Sequence, residues 1–238
     1  YGMAFDYTAT GHYATILERN GASLLGTAAD VHKDQTYFLA QINAMQLTRI
    51  MFPIGHLTKP EVREIARQNG IPTAERKDSQ GICFIGRNNY NFHLLGENPG
   101  AIIDKSSGIV MGEHNGHWFH TIGQRKGLGL SGGPWFVVDK DIEKNIVFID
   151  KGYNPESVYG KEVKLSSFHA MAPESFIENE VSFKIRHSPQ FTKGILSKDS
   201  NGFWLISDEK LHGIAPGQFA VIYNRHAEFV IGSGVIMR

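Results

Sequence analysis

The stretch Thr58-Lys59-Pro60-Glu61-Val62-Arg63-Glu64-Ile65-Ala66-Arg67-Gln68-Asn69-Gly70 carries the last strong helical pattern in this 238-residue chain, and the fold class turns on what lies to either side of it. Thr58 can cap the helix, Glu61 completes a capping box, Pro60 suits the first turn and Gly70 stops it, so a helix is predicted over residues 59–69. Val62, Ile65 and Ala66 share one face and are predicted to form its buried stripe. Upstream, Tyr37, Phe38, Gln41, Ile42 and Met45 fall at helical spacing and predict another helix over residues 34–45, while Phe52-Pro53-Ile54-Gly55 reads as a connector. The opening residues, with no initiator methionine, read as strand followed by turn, as the middle of a domain would. Downstream of Gly100 helical periodicity disappears. Turns rich in Gly, Asn and Asp separate short β runs at 101–103, 135–138, 146–149, 181–186, 194–197, 203–207, 219–223 and 229–237. The expected fold class is therefore α/β followed by mostly β, ending in a small antiparallel barrel. Joints near residues 97 and 152 divide the chain into segments 1–97, 98–152 and 153–238.

Composition excludes more than it selects. Hydrophobic residues make up 41% and charged residues 20%, ordinary values for a globular chain. Lys plus Arg balances Asp plus Glu at 24 each, so any basic face for a nucleic acid must be local. No apolar run is long enough to span a bilayer and no charged-then-apolar leader opens the chain, which predicts a cytoplasmic protein without a membrane partner. Cys83 is the only cysteine, which rules out an internal disulfide framework and a two-cysteine metal site, and nothing among the 11 histidines has zinc-binding spacing.

Chemistry concentrates in a few places. Cys83 sits where the polar run Lys77-Asp78-Ser79-Gln80-Gly81 turns into the apolar Ile82-Cys83-Phe84-Ile85-Gly86. Arg76 and Lys77 would favour a thiolate, but the alternation also suits a packed strand, so residue types leave both a buried filler and a reactive sulfur open. In His32-Lys33-Asp34-Gln35-Thr36-Tyr37, a helix N-terminus with Lys33 and Gln35 would suit phosphate and base edges, and a simple Asp34 cap explains it as well. The loop Thr121-Ile122-Gly123-Gln124-Arg125-Lys126-Gly127-Leu128-Gly129 could bring Arg125 and Lys126 to phosphates, or be a solvated hairpin tip; it lacks the Gly-Lys-Ser/Thr ending of a Walker loop. Thr10-Gly11-His12-Tyr13 and Lys184-Ile185-Arg186-His187 are weaker signals.

Taken in order, six segments strongly resemble the tRNA-specific 2-thiouridylases of MnmA (TrmU) type: Ala9-Thr10-Gly11-His12-Tyr13-Ala14, Lys33-Asp34-Gln35-Thr36-Tyr37-Phe38-Leu39, Phe52-Pro53-Ile54-Gly55, residues 78–86, residues 120–129 and Ala215-Pro216-Gly217-Gln218. The resemblance covers essentially the whole chain. It implies the remainder of a PP-loop (adenine nucleotide α-hydrolase-like) domain over 1–97, a central tRNA-binding domain over 98–152 and a C-terminal β-barrel over 153–238. The implied reaction is ATP-dependent: adenylation activates the 2-carbonyl of the wobble uridine, and an enzyme persulfide supplies the sulfur as AMP leaves. Residue by residue, Cys83 matches the persulfide carrier and Gly11 a backbone contact to ATP. His12, Lys33, Asp34, Gln35, Arg186, His187 and Gln218 match tRNA contacts, and Arg125 and Lys126 are further candidates. Tyrosine is frequent in relatives where His187 stands here.

The implied partners are tRNA and a sulfur-donor protein, a persulfide relay or cysteine desulfurase; ATP enters with Mg2+, and no prosthetic group or structural metal is expected. Two departures matter. The Ser-Gly-Gly-x-Asp-Ser loop that cradles the ATP phosphates in the family is not in this sequence, and neither is a second cysteine to act with Cys83. The expectation is that this chain by itself does not thiolate tRNA. The competing reading is a separate, non-catalytic tRNA-binding module; a stand-alone thiol redox enzyme is disfavoured because no resolving cysteine is present.

Overall fold

A computed structural model of the chain describes residues 5–76, 96–151, 160–200, 202–211 and 214–237. These fall into two compact units, one formed by Tyr1–Glu75 together with Gly160–Arg238, the other by Arg76–Tyr159.

The first unit begins with β1 (Thr8–Ala9), followed by the hairpin of β2 (Thr15–Arg19) and β3 (Ala22–Gly26). Asn20 and Gly21 make its tight turn with φ of 50° and 75°, the left-handed pair that a two-residue hairpin with properly twisted strands requires. The helix predicted over 34–45 is not formed. In its place are a single 3-10 turn at Thr36–Leu39 and a short α1 (Ala44–Leu47). Two polar side chains break the periodicity. Asp34 does not cap; its carboxylate accepts hydrogen bonds from the Ala28 N–H and the Thr36 hydroxyl. Asn43 ends the first segment and caps the next, accepting from the Gln46 N–H while the Gln46 side chain accepts from the Asn43 N–H. Phe38 and Met45 consequently stand 59% and 80% exposed.

The chain then forms β4 (Ile50–Met51), parallel to β1, and α2 (Lys59–Gln68). The capping box on α2 is present as expected, with Glu61 accepting from both the Thr58 N–H and hydroxyl, and Asp30 adds an acceptor for the Lys59 N–H. Its predicted buried stripe is not buried: Val62 and Ala66 are half-covered and Ile65 is 45% exposed. Ahead of α2, a Cβ on Gly55 would strike the Ala14 carbonyl oxygen, so only glycine lets these two backbones approach.

The second unit is a four-stranded sheet of β5 (Gly100–Asp104), β6 (Val110–His114), β7 (Phe136–Asp141) and β8 (Ile146–Asp150) in the order β6-β5-β8-β7, with β5 and β8 parallel. Ile102, Leu128, Trp135, Val137, Val147 and Ile149 form its core.

The last third returns to the first unit. Its strands are β9 (Glu162–Leu165), β10 (His169–Ala170), β11 (Glu180–Lys184), β12 (Thr192–Asp199), β13 (Gly202–Ser207), β14 (Phe219–Asn224) and β15 (Val230–Val235). They form one sheet in the order β10-β15-β14-β11-β12-β13-β9. The sheet curls until its ends meet: β9 pairs with β13, an isolated bridge joins Leu165 to Ile236, and β10 then runs along β15. This is an incompletely closed version of the expected barrel.

Period-2 alternation explains how the N-terminal segment attaches. On β14, Ala220 and Ile222 enter the barrel core with Val181, Phe183 and Ile231. Val221 and Tyr223 face outward into a second core with Ala14, Leu25, Leu39, Ala40, Leu47 and Phe52. The strand is therefore buried on both faces, with each large side chain contributing about 1.5–3 kcal/mol. On β11 the same alternation sends Ser182 and Lys184 to the covered face, which is how a lysine comes to be 2% exposed.

Candidate nucleic-acid interface

Lys184 is the centre of the site. Its ammonium lies 3.3 Å from Asp34 Oδ1, with both side chains essentially sealed from solvent, and 4.0 Å from the centroid of the Phe191 ring. Burial pushes the Lys184 ammonium below the ordinary lysine range, and Asp34 pulls it partly back. Beyond the carboxylate, the Thr36 hydroxyl reaches Tyr223 Oη at 2.8 Å; burial raises that phenol, so it stays neutral. The ion pair thus ties the backbone turn at Asp34 to β11 and β14.

Three exposed or half-exposed groups are held at this knot. Gln35 makes a reciprocal pair with Tyr13: its N–H donates to the Tyr13 carbonyl at 2.9 Å and its side-chain oxygen accepts from the Tyr13 N–H at 3.0 Å. That fixes the adjoining Gly11-His12, where the Thr10 hydroxyl meets His12 Nδ1 at 2.8 Å. Past the end of β11, Arg186 and His187 are exposed. The His187 ring sits 4.6 Å from Phe38 at an interplanar angle of 30°, and its Nε2 is 3.2 Å from the Asp34 carbonyl. The Tyr37 hydroxyl donates to the Phe219 carbonyl at 3.0 Å, which brings the exposed Gln218 beside the same group. A cavity of about 320 Å³ opens next to Arg186, walled by Lys184, Thr192 and Lys210. Around Gly11, nothing lies within 4 Å of where a Cβ would stand, so packing does not demand the glycine. The result is a surface with cationic and planar groups on a rigid base, suited to phosphates and unstacked bases.

Family models match the chain along nearly its whole length: a tRNA methyl transferase HUP domain over residues 2–87, a tRNA methyl transferase PRC-barrel domain over 90–151 and an aminomethyltransferase beta-barrel domain over 161–236. The chain is 54% identical over 245 residues to the tRNA-specific 2-thiouridylase MnmA 1 of Bacteroides thetaiotaomicron, an alignment covering all of this chain and 69% of that protein. It is 51% identical over 244 residues to MnmA of Parabacteroides distasonis, covering all of this chain and 68% of the relative, and 51% identical over 249 residues to MnmA of Porphyromonas gingivalis, covering all of this chain and 69% of the relative. The chain belongs to the MnmA family of tRNA-specific 2-thiouridylases.

Within this MnmA-family chain, Gln35, Asp34 and His187 are linked through one hydrogen-bonded and packed framework, and His12, Arg186 and Gln218 are chain neighbours of residues in it. Lys33, half-buried, precedes Asp34, and its N–H donates to the Asp30 carbonyl at 3.0 Å. Asp34 differs from its neighbours in being 3% exposed with its carboxylate committed to internal partners. The expected helix N-terminus is a four-residue 3-10 turn, so helix-dipole attraction for an anion does not arise there. Arg125 and Lys126 lie in the second unit, exposed on a loop stapled by Gln124, whose side chain accepts from the Thr121 N–H and donates to the Lys126 carbonyl. Cys83 lies outside the described residues. The sequence signal Lys184-Ile185-Arg186-His187 gives Lys184 no buried role, and Tyr223 carries no motif; the available signals are a lysine closing the apolar strand β11 and a tyrosine near the end of β14. No helix among the described residues is long and apolar enough to cross a membrane.

Proposed function

We propose that this chain serves tRNA 2-thiolation, binding tRNA over the surface built on the Lys184–Asp34 pair and carrying the transferable sulfur on Cys83. The observation that supports it best is the convergence of residues 10–13, 33–37 and 186–187, far apart in sequence, on one rigid framework. Arg186 and Lys33 supply charge for phosphates, and His187, seated on Phe38, offers a planar face for a base. Asp34 acts from beneath as a positioning residue. The space over Gly11 fits close approach of a nucleotide, and ATP, accompanied by Mg2+, would make the uridine 2-oxygen a leaving group by adenylation.

In the transfer step the terminal sulfur of a Cys83 persulfide forms the bond to C2 and AMP departs with the oxygen. Cleaving the S–S bond to Cys83 then takes a second thiol, and Cys83 is the only cysteine of this chain. That attack leaves Cys83 in a disulfide, which a cytoplasmic thiol reductant opens before a sulfur-donor protein's persulfide passes its outer sulfur to the freed Cys83 thiolate. The test of the binding surface is the affinity of the chain for unmodified tRNA as a function of salt. The reading expects binding that weakens with salt, with Arg186→Ala lowering the log–log slope by about one; a slope and affinity unchanged by Arg186→Ala would refute it. A purely tRNA-binding role would keep this behaviour and leave Cys83 without effect on tRNA sulfur.

A further inference from the structure

The second unit contains a cavity lined by none of the residues given a role in sulfur transfer above. It has a volume of about 390 Å³, within the range of small-ligand sites, and lies between β5, β6 and the 121–129 loop. Phe119 and Leu128 give it apolar walls, and His114 and His120, 3% and 7% exposed, are buried in its lining. The two rings meet edge to face at 5.5 Å. His114 Nδ1 accepts the Gly116 N–H, which places its proton on Nε2 in the neutral ring. His120 Nδ1 has no hydrogen-bond partner among the described residues, an uncommon state for a buried ring nitrogen. Burial pushes both imidazoles below their usual range, so at neutral pH the two rings lining the interior are neutral polar groups.

Lys140 donates to the His120 backbone carbonyl at 3.0 Å but does not line the cavity, and the charges that face its opening stand at the entrance. Gln124 and Gly127 line the cavity, and Arg125 and Lys126 stand exposed between them. Glu113 lines it too and is exposed to solvent. A ligand matching this layout is flat and neutral at its inner end and anionic at its outer end. A free phosphate or an acidic peptide would place negative charge against the neutral, desolvated interior.

We propose that this cavity receives an unstacked nucleobase of the bound tRNA, stacked on Phe119 and hydrogen-bonded to His120 Nδ1, with its phosphate held by Arg125 and Lys126. The proposal rests on the tRNA reading and adds a base-specific contact in the second unit.

The experiment uses the full chain with unmodified tRNA. Zero-length ultraviolet crosslinking followed by mass spectrometry should place a nucleotide on Phe119 or His120. Phe119→Ala and His120→Leu should each weaken tRNA binding by at least about fivefold, the lower end of what losing a stacked base costs. His120→Gln, which keeps a polar atom in the cavity, should recover part of the loss, and circular dichroism identifies any variant that weakens binding by failing to fold. Wild-type affinity in folded Phe119→Ala and His120→Leu, with crosslinks elsewhere, would overturn the pocket while leaving Arg186-dependent binding intact. Absence of any tRNA binding by the wild-type chain would overturn both readings.

Discussion

Replacing Lys184 by methionine should destabilise the first unit far more than a lysine substitution normally does. The methionine keeps most of the stem's packing but removes the ammonium 3.3 Å from Asp34 Oδ1, in a place where the two side chains are 0% and 2% exposed. The Asp34 carboxylate would keep its hydrogen bonds from the Ala28 N–H and the Thr36 hydroxyl, and these do not neutralise it. Breaking a buried pair by removing one partner costs about 3–5 kcal/mol because the remaining charge is left uncompensated. At about 2–4 °C per kcal/mol for a chain of this size, the melting temperature should fall by about 6–20 °C. Removing both charges in Lys184→Met/Asp34→Asn should be less harmful than the sum of the single changes by more than about 1 kcal/mol. Thermal and urea unfolding followed by circular dichroism give both numbers. A Lys184→Met protein within about 1 kcal/mol of wild type, or strict additivity in the cycle, would refute the assignment of the pair as the knot of this surface.

The other expectations follow from single contacts. Gly55→Ala should unfold or strongly destabilise the chain, since the new methyl would meet the Ala14 carbonyl, whereas Gly11→Ala should leave the melting temperature unchanged. His114 and His120 hold their protons less tightly folded than unfolded, with His117 and Lys140 adding to the depression by their charge. As pH falls below about 6.5, the unfolded chain therefore takes up protons that the folded chain refuses, and stability should drop. In unfolding curves between about pH 7.5 and 5, a His114→Gln/His120→Gln protein should lose less stability than wild type; an identical loss would count against neutral, buried imidazoles.

What could be read from the sequence was the structure set by neighbours along the chain. The capping box of α2 and the β runs of the last third are written in residues three apart or alternating, and they appear where expected. The 34–45 helix failed because Asp34 found a cation 150 positions away, a partner that no local pattern reveals. The hairpin at Asn20-Gly21 is a local signal of the same kind, an Asn-Gly pair between two short strands. Alternation on β11 was visible too, but it suggests a solvated Lys184; only the N-terminal segment folding over that face makes the lysine internal. For the site, motif resemblance supplied His12, Gln35, Arg186, His187 and Gln218, and the fold supplied the reason they share a surface. His114 and His120 were lost among 11 histidines, because what distinguishes them is burial beside a cavity.

The sulfur-carrying role of Cys83 is tested by the 2-thiouridine content of tRNA, measured by mass spectrometry of nuclease digests from cells whose only copy of the gene encodes Cys83→Ser. If Cys83 carries the sulfur, 2-thiouridine at the wobble position disappears while the protein still binds tRNA. Wild-type levels of 2-thiouridine in those cells would contradict it.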